Sequence, residues 1–513
     1  MVRTANGTAG NAILVEDGRV LAVGDRTALK GEAPEISYSG AVLMPGLRDA
    51  HIHPVAYAAA LRGTTLASAT DFEDLRKRLR RSAEETPEPA PVLGMRLNEE
   101  ALAEGHLPDR WMLDSAIPDR PALAHRYCGH VAIANSAALA LAGVDEATLD
   151  PKGGVIDRTA DGTPTGVLRE TAIELVAERF GDGNQVTSAE LLSGLERLAA
   201  IGLTSLGAML RTGAGAWASL GNEVDLAVSV ADRMPIKMGV YAIDEHPDAV
   251  SGSRAKIEAA GGRLRWLGIK RFGDGSFGGH TAAMYEPFAD VDTTGTLRLS
   301  RIDRDIAEAS LARGGGVAIH AIGDLACSAV IDLFAELIAG GADAGKLRIE
   351  HASVLTRADM TRLAELGVAV VVQPPFLGSE AEWLGNRLGA ERIERTYAFA
   401  TLEGVGALLA GSSDCPVESP DPWAGMALCQ DRFGMAPDQT LSAERALAMY
   451  TSGAAHALEE PEPLAVGSAA DFILVDRDPV LVTPDELRTT EVLATYIDGV
   501  EVQVDRTLPL WLD

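Results

Sequence analysis

The sequence predicts an α/β protein: a (β/α)8 TIM-type barrel joined to a small β-sandwich built from both chain ends. Three observations carry this expectation. Short apolar runs alternate with helical stretches through the middle of the chain, the signature of βα units around a parallel sheet. Eight such runs can be counted, the number that closes a barrel. The two ends of the chain instead read as short strands joined by Asp-Gly turns. A doubly wound open sheet is the alternative for the same βα units.

At the N-terminus, residues 12–15 and 19–23 flank Glu16-Asp17-Gly18, a hairpin signal. The C-terminal region repeats the pattern at 470–475 and 492–497, with Asp498-Gly499 before Val500. Termini often lie close together, so the two ends can pair into one domain. The expected division is 1–44 and 456–513 for the sandwich and 45–455 for the barrel.

The eight runs are residues 41–44, 203–207, 236–243, 267–272, 316–322, 347–352, 367–373 and 406–411. Helices fit the gaps. Thr187-Ser188-Ala189-Glu190 is a capping box opening a helix that ends near Gly202. Residues 303–313 form another, stopped by Gly314-Gly315-Gly316. One gap is too long: roughly 160 residues separate the first two runs, where a barrel spends about 31 per unit. The excess lies between about residues 81 and 170, rich in proline from Pro87 to Pro151. It predicts an insertion subdomain over the barrel mouth.

Composition narrows the function. The 513 residues are 47% hydrophobic and 23% charged, which excludes a disordered chain. Lys and Arg total 45 against 74 Asp and Glu, and the net charge of −29 argues against nucleic acid as a partner. The four cysteines, Cys128, Cys327, Cys415 and Cys429, form no CxxC pair and are too sparse for a disulfide framework. Residues 1–10 lack an apolar signal stretch, and no apolar run reaches the ~18 residues of a membrane helix. The expectation is a cytoplasmic protein acting on a small molecule, with no membrane partner and a homodimer admitted as its assembly.

The strongest local feature is Met44-Pro45-Gly46-Leu47-Arg48-Asp49-Ala50-His51-Ile52-His53. In an extended segment alternate side chains point the same way, so His51 and His53 can converge on one ion. Alone, two such histidines are more often packed residues. Further candidates change that weighting. Lys270, His320 and His351 each end an apolar run, and Asp414 follows the last one. Barrel enzymes place their chemistry at those strand ends. His320 and His351 are 31 residues apart, one βα unit, and His351 and Asp414 are 63 apart, two units. Imidazoles and a carboxylate suit Zn2+ or a similar divalent ion, one or two per chain. An ammonium does not ligate, so Lys270 fits the set either as a carbamate formed with CO2 or as a charge that binds substrate.

This pattern resembles the amidohydrolase superfamily: HxH after strand one, Lys after strand four, His after strands five and six, Asp after strand eight. The stretches Lys270-Arg271-Phe272-Gly273-Asp274-Gly275-Ser276, His320-Ala321-Ile322-Gly323-Asp324 and Gly411-Ser412-Ser413-Asp414 are similar to the amidohydrolase-3 branch, which includes N-substituted formamide deformylases. Gly129-His130, Asn135 and residues 165–170 share that likeness. The resemblance implies metal ligands His51, His53, Lys270, His320, His351 and Asp414. It implies hydrolysis of a non-peptide C–N bond, in an amide, N-substituted formamide or cyclic amide, by a metal-activated hydroxide. Asp414 would be the catalytic proton shuttle. A decarboxylase or other lyase on the same scaffold is the alternative, and a metal-holding protein without catalysis a third. Two departures concern the substrate pocket: His280 stands where arginine is expected, and Ser205-Leu206-Gly207-Ala208 lacks the acidic residue common after strand two. Weaker substrate-binding candidates are His130, Glu170, Asp274 and Trp423. His130 reads as well as a packed polar residue, Glu170 reads rather as a salt-bridge residue, Asp274 and Asp324 as orienters of metal ligands or helix caps, and Trp423 more readily as core.

Overall fold

A computed structural model describes residues 1–513 apart from 5, 30, 32–33, 128, 152, 181–184, 214–220 and 512–513. Eight strands form one parallel sheet: β1 (Leu47–Ile52), β2 (Leu203–Arg211), β3 (Lys237–Ile243), β4 (Leu264–Phe272), β5 (Gly316–Ala321), β6 (Leu347–His351), β7 (Ala369–Val372) and β8 (Leu408–Gly411). Each strand pairs with the next in chain order, as a barrel requires. The chain just past β8 meets β1. The Asp414 N–H donates to the His51 carbonyl at 2.9 Å, and the His53 N–H donates to the Cys415 carbonyl at 2.9 Å.

The strands are buried on both faces, which their Val, Ile and Ala content allows. Inside the barrel, Ala50, Val371 and Ala410 form one packed group, and Met209, Tyr241, Leu267 and Ala318 another. The short helix Ala454–Ala457 and Leu458 join these groups, so the barrel's own packing reaches Leu458. The capping box at Thr187 is present and opens the helix Ser188–Ala200. A second box, Ser300 with Asp303, opens the helix Arg301–Leu311, two residues earlier than the sequence predicts.

Two expectations are corrected. Residues 41–44 are not the first barrel strand. Val42–Pro45 pairs with Phe472–Val475 and with Val2, and the barrel begins at Leu47. That strand reads poorly as apolar because Arg48, Asp49 and His51 are buried in it, each with a polar partner. The sheet of the long insertion also starts earlier than residue 81. Its six strands run from Thr64–Thr65 through Val92–Leu97, Ala122–Arg126, Val131–Ala134 and Gly154–Arg158 to Pro164–Glu170. The helix Phe72–Glu85, capped by Asp71, belongs to this subdomain although it reads like a barrel helix.

The two chain ends share a six-stranded sheet, ordered Gly7–Gly10, Val2–Thr4, Val42–Pro45, Phe472–Val475, Val492–Ile497, Val500–Glu501. The hairpin Ala12–Glu16/Arg19–Gly24 packs Ile13, Val15 and Val20 against Phe472, Leu474 and Tyr496, completing the sandwich. Asp17 and Gly18 both turn with positive φ, 49° and 75°, as the tight hairpin requires. Lys237, at the start of β3, bonds Asp471 at 2.8 Å and Asp498 at 2.7 Å and ties the barrel to this sandwich. The three described cysteines are free and buried, and Cys128 lies outside the described residues. No helix among the described residues is long and apolar enough to cross a membrane.

Candidate metal centre

All six residues proposed as ligands line one cavity at the C-terminal ends of the strands. His51 closes β1 and His53 follows it; Lys270 lies near the end of β4, His320 in β5, His351 at the end of β6, and Asp414 beyond β8. Nitrogen and oxygen atoms of His51, His351 and Asp414 come within 4.8 Å of one another, a group able to hold a metal ion. Asp414 Oδ1 is 3.3 Å from His51 Nε2 and 3.2 Å from His53 Nε2. The rings of His320 and His351 are 4.4 Å apart. His351 and Asp414 adopt φ of 71° and 57°, left-handed conformations that cost about 1–3 kcal/mol each and cluster at functional sites.

The far side of three of the imidazoles, His51, His320 and His351, is held by an acceptor, and this fixes their tautomers. His51 Nδ1 donates to Glu350 at 2.6 Å. His351 Nδ1 donates to Gln373 Oε1 at 2.8 Å, because the Gln373 amide nitrogen is committed to Ser412. His320 Nε2 donates to the Gly275 carbonyl at 2.8 Å. The remaining lone pairs are therefore on His51 Nε2, His351 Nε2 and His320 Nδ1. A carbonyl or carboxylate on the back of an imidazole is the usual support of a metal ligand.

Burial pushes the imidazoles of His53, His320 and His351 below their ordinary value, so they stand neutral, the form that ligates. Burial also raises the Asp414 carboxyl, but His51 and then His53 outweigh it and hold Asp414 well below the carboxylate range. In Glu350 the same burial effect is outweighed first by Arg348 and then by His51. Lys270 is 1% exposed, and burial pulls its ammonium down to about 8. A fraction of this amine is thus uncharged near neutral pH, the state that reacts with CO2.

The weaker candidates divide. His130 and Glu170 of the insertion line the cavity, joined to each other at 2.9 Å. Glu170 also accepts the Thr281 hydroxyl at 2.9 Å and faces Arg298 at 3.4 Å, so the salt-bridge reading holds as well. Asp274 is corrected as a substrate contact. It is fully buried, accepts the N–H groups of Ile322, Gly323 and Ala283, and stands 3.3 Å behind His320. Trp423 is corrected too: it is buried, does not line the cavity, and donates its indole N–H to the Ile201 carbonyl at 3.2 Å. Asp324 caps the N-terminus of the helix Asp324–Ala339 and the Tyr285 N–H. His280 pairs with Asp290 at 3.1 Å, outside the cavity.

Four charged cavity residues escaped the sequence: Arg211, Arg298, Glu174 and Glu223. Arg211 had a signal. The run ending at Gly207 continues as a strand through Ala208-Met209-Leu210, which puts Arg211 at its C-terminal end. Its predecessor Gly207 lies so close to β1 that a Cβ there would stand 2.0 Å from the Ala50 carbonyl oxygen.

The family model described as "Amidohydrolase family" matches residues 35–503. The N-substituted formamide deformylase of Arthrobacter pascens is 28% identical, over 99% of this chain and 97% of its own. The protein LONG AFTER FAR-RED 3 of Arabidopsis thaliana is 29% identical, over 95% of this chain and 88% of its own. The crystal structure of an uncharacterized metal-dependent hydrolase from Pyrococcus horikoshii superposes with a TM-score of 0.72 at 27% identity, covering 92% of this chain and 95% of that one. The chain belongs to the amidohydrolase family.

Proposed function

We propose that the protein hydrolyses a non-peptide C–N bond, in an amide, N-substituted formamide or cyclic amide, with a divalent metal held by His51, His53, Lys270, His320, His351 and Asp414. The observation that carries this is the contact between His51 and Asp414. The only proton on the His51 ring in its neutral form is spent on Glu350, so its Nε2 lone pair faces the Asp414 carboxylate at 3.3 Å. Two electron-rich atoms at that distance repel unless a proton or a cation lies among them. Neutral imidazoles on three further strand-end positions make a divalent cation of the zinc type the better fit.

When bound, the cation supplies a Lewis acid and brings the pKa of water toward ~7. Asp414 takes the proton of the attacking water and hands it to the leaving nitrogen. Its own N–H, bonded to the His51 carbonyl, holds it beyond β8 with the carboxylate beside His51 and His53. Lys270 as a carbamate would add an anionic oxygen donor to the neutral imidazoles of His53, His320 and His351 and to His51 and Asp414, the residues that would hold the cation, and its charge would offset that of one or two dications.

The test is product analysis on a panel of simple amides, N-substituted formamides and cyclic amides, with metal-loaded and chelator-stripped protein. The expected result is amine and carboxylic acid in equal amounts, only with metal. Release of CO2 from carboxylic acids without amide cleavage would replace hydrolysis by the decarboxylase reading.

A further inference from the structure

The cavity holds a guanidinium with no acid of its own. Arg211 ends β2, half-buried, and lines the same cavity as the candidate ligands. Among the described residues no carboxylate lies within 4 Å of its guanidinium. The acids on neighbouring segments are engaged elsewhere. Glu223 accepts the backbone N–H of Arg211 at 2.9 Å, not its side chain. Asp244 takes the hydroxyls of Thr212 at 2.9 Å and Ser253 at 2.7 Å. Glu174 lines the cavity without a salt bridge to Arg211; burial raises its carboxyl, and the more distant charge of Arg211 offsets only part of that rise. A second guanidinium, Arg298, lines the cavity too, shared with Glu170.

On the other side of the site lies a small chamber lined by Phe277, Ile322, Phe376, Tyr397 and Val417, with the Ser276 hydroxyl and the Glu380 carboxyl, which accepts the Tyr397 hydroxyl, also on its wall. His130, His320 and Asp414 face both spaces. The candidate metal centre therefore lies between a charged wall, where Arg211 and Arg298 stand among Glu170, Glu174 and Glu223, and a mainly apolar chamber. An arginine left unpaired on a cavity wall is a ready partner for a carboxylate, whose two oxygens match its fork.

Resting on the hydrolase reading above, we propose that the substrate is an anionic amide, its carboxylate gripped by Arg211 and an apolar substituent on the other side of the scissile bond directed into the aromatic chamber. The carboxylate belongs to the amine half or the acyl half, and paired probes tell which. N-acetylglycine against N-ethylacetamide tests the first, and N-methylsuccinamate against N-methylbutanamide the second. Each pair differs in a carboxylate replaced by a methyl group.

The expected result is that one pair shows a preference of about 100-fold in kcat/KM for the anion, the range of a charge-assisted hydrogen-bonded contact. Arg211→Gln lowers that ratio at least about 10-fold, and Arg211→Lys lowers it less, since lysine keeps the charge without the fork. Circular dichroism melts check that both variants fold. If Arg211→Gln does not fold, the wild-type preference and Arg211→Lys decide. The same pairs are measured by calorimetric binding to the metal-loaded protein. Arg211-dependent binding without turnover would count against hydrolysis alone and leave the anion site standing. Equal turnover or equal binding of both members, or a ratio unmoved in Arg211→Gln, overturns the proposal. No binding of any probe overturns it as well.

Discussion

Glu350→Gln is the sharpest perturbation of the centre, because it leaves the side-chain volume nearly unchanged and alters no candidate ligand, only the acceptor behind His51. Glu350 is fully buried, and its two oxygens do different work. Oε1 accepts Arg348 Nε at 2.5 Å, while Oε2 accepts both Arg348 Nη2 at 2.9 Å and His51 Nδ1 at 2.6 Å. A glutamine has one oxygen and one NH2. If its oxygen faces His51, the NH2 meets Arg348 Nε, donor against donor. If the amide turns over, the NH2 meets His51 Nδ1 and Arg348 Nη2. No orientation satisfies both neighbours. Arg348 also loses its counter-charge in a dry site, keeping only carbonyl partners on Ala50 at 2.6 Å and Ala457 at 3.2 Å and the Tyr241 ring 4.5 Å away. Breaking a buried pair of this kind costs about 3–5 kcal/mol, and the carbonyls argue for the lower end. Loss of the acceptor behind His51 weakens metal binding by about 10- to 100-fold. Urea unfolding of the metal-free protein reads the first effect, and competition of a chromogenic chelator for the metal reads the second. A variant within 0.5 kcal/mol of wild type, at about unchanged metal affinity, would refute the claim that this buried charge pair holds His51.

Lys270→Ala is expected to lose at least one metal equivalent by elemental analysis and nearly all activity, with short-chain carboxylates restoring part; one equivalent, unchanged in the variant, would remove Lys270 from the metal ligands. Lys270→Arg should fail equally, since a guanidinium cannot be carboxylated. Asp414→Asn should lower kcat by at least about 100-fold, as removal of an acid–base group does, and unchanged kcat would remove Asp414 from proton transfer. Glu223→Gln tests a stability effect of pH. Burial raises the Glu223 carboxyl from 4.5 to about 7, so the folded protein holds this proton more tightly than the unfolded chain. Its contribution is present in full below pH 4.5 and is lost as pH rises through 7, a penalty of up to about 3 kcal/mol above that. The amide keeps an acceptor for the Arg211 N–H, so Glu223→Gln should melt higher than wild type at pH 8 and closer to it at pH 5. An equal difference at both values would show that the carboxyl does not titrate there.

Lys270, His320, His351 and Asp414 were legible because each lies at or just beyond the end of an apolar run, and His51 and His53 because of their alternate spacing. The first strand was not, since a strand carrying Arg48, Asp49 and His51 looks like a loop until their partners are known. Glu460 bonds Arg48 at 2.7 Å from 412 positions away, and Ser413 bonds Asp49 at 2.5 Å from 364 away. Nothing local marks such pairings. Trp423 misled for the converse reason: an aromatic after Pro420-Asp421-Pro422 looks like a pocket wall, whereas the turn ends in an Asp421-capped helix whose first residues pack inward. Glu350 was visible in the motif beside His351, but its role depends on a histidine 299 positions upstream. Substrate-side residues were least legible, because their meaning lies in what they fail to pair with.

These differences follow from how the two halves of the site are made. The candidate metal side is assembled at strand ends in the barrel, where His51, His320 and His351 are buried and each is backed by a hydrogen bond to a neighbouring strand or loop. An imidazole held on both sides cannot turn, so its lone pair stays aimed without further cost on binding. The substrate side is assembled from several separate segments: His130 and Glu170 from the insertion, Arg211 from the tip of β2, Arg298 from the loop after β4. Glu170 joins His130 of the insertion to Thr281 and Arg298 of the barrel, one of several polar ties across this junction along with Glu100–Arg387 and Arg96–Glu418. Burial raises Glu170 but His130 and then Arg298 outweigh it, bringing it down to about 2, so that join stays charged at any working pH. Chemistry is thereby confined to a rigid floor, while the choice of substrate rests on loops that can vary without disturbing it.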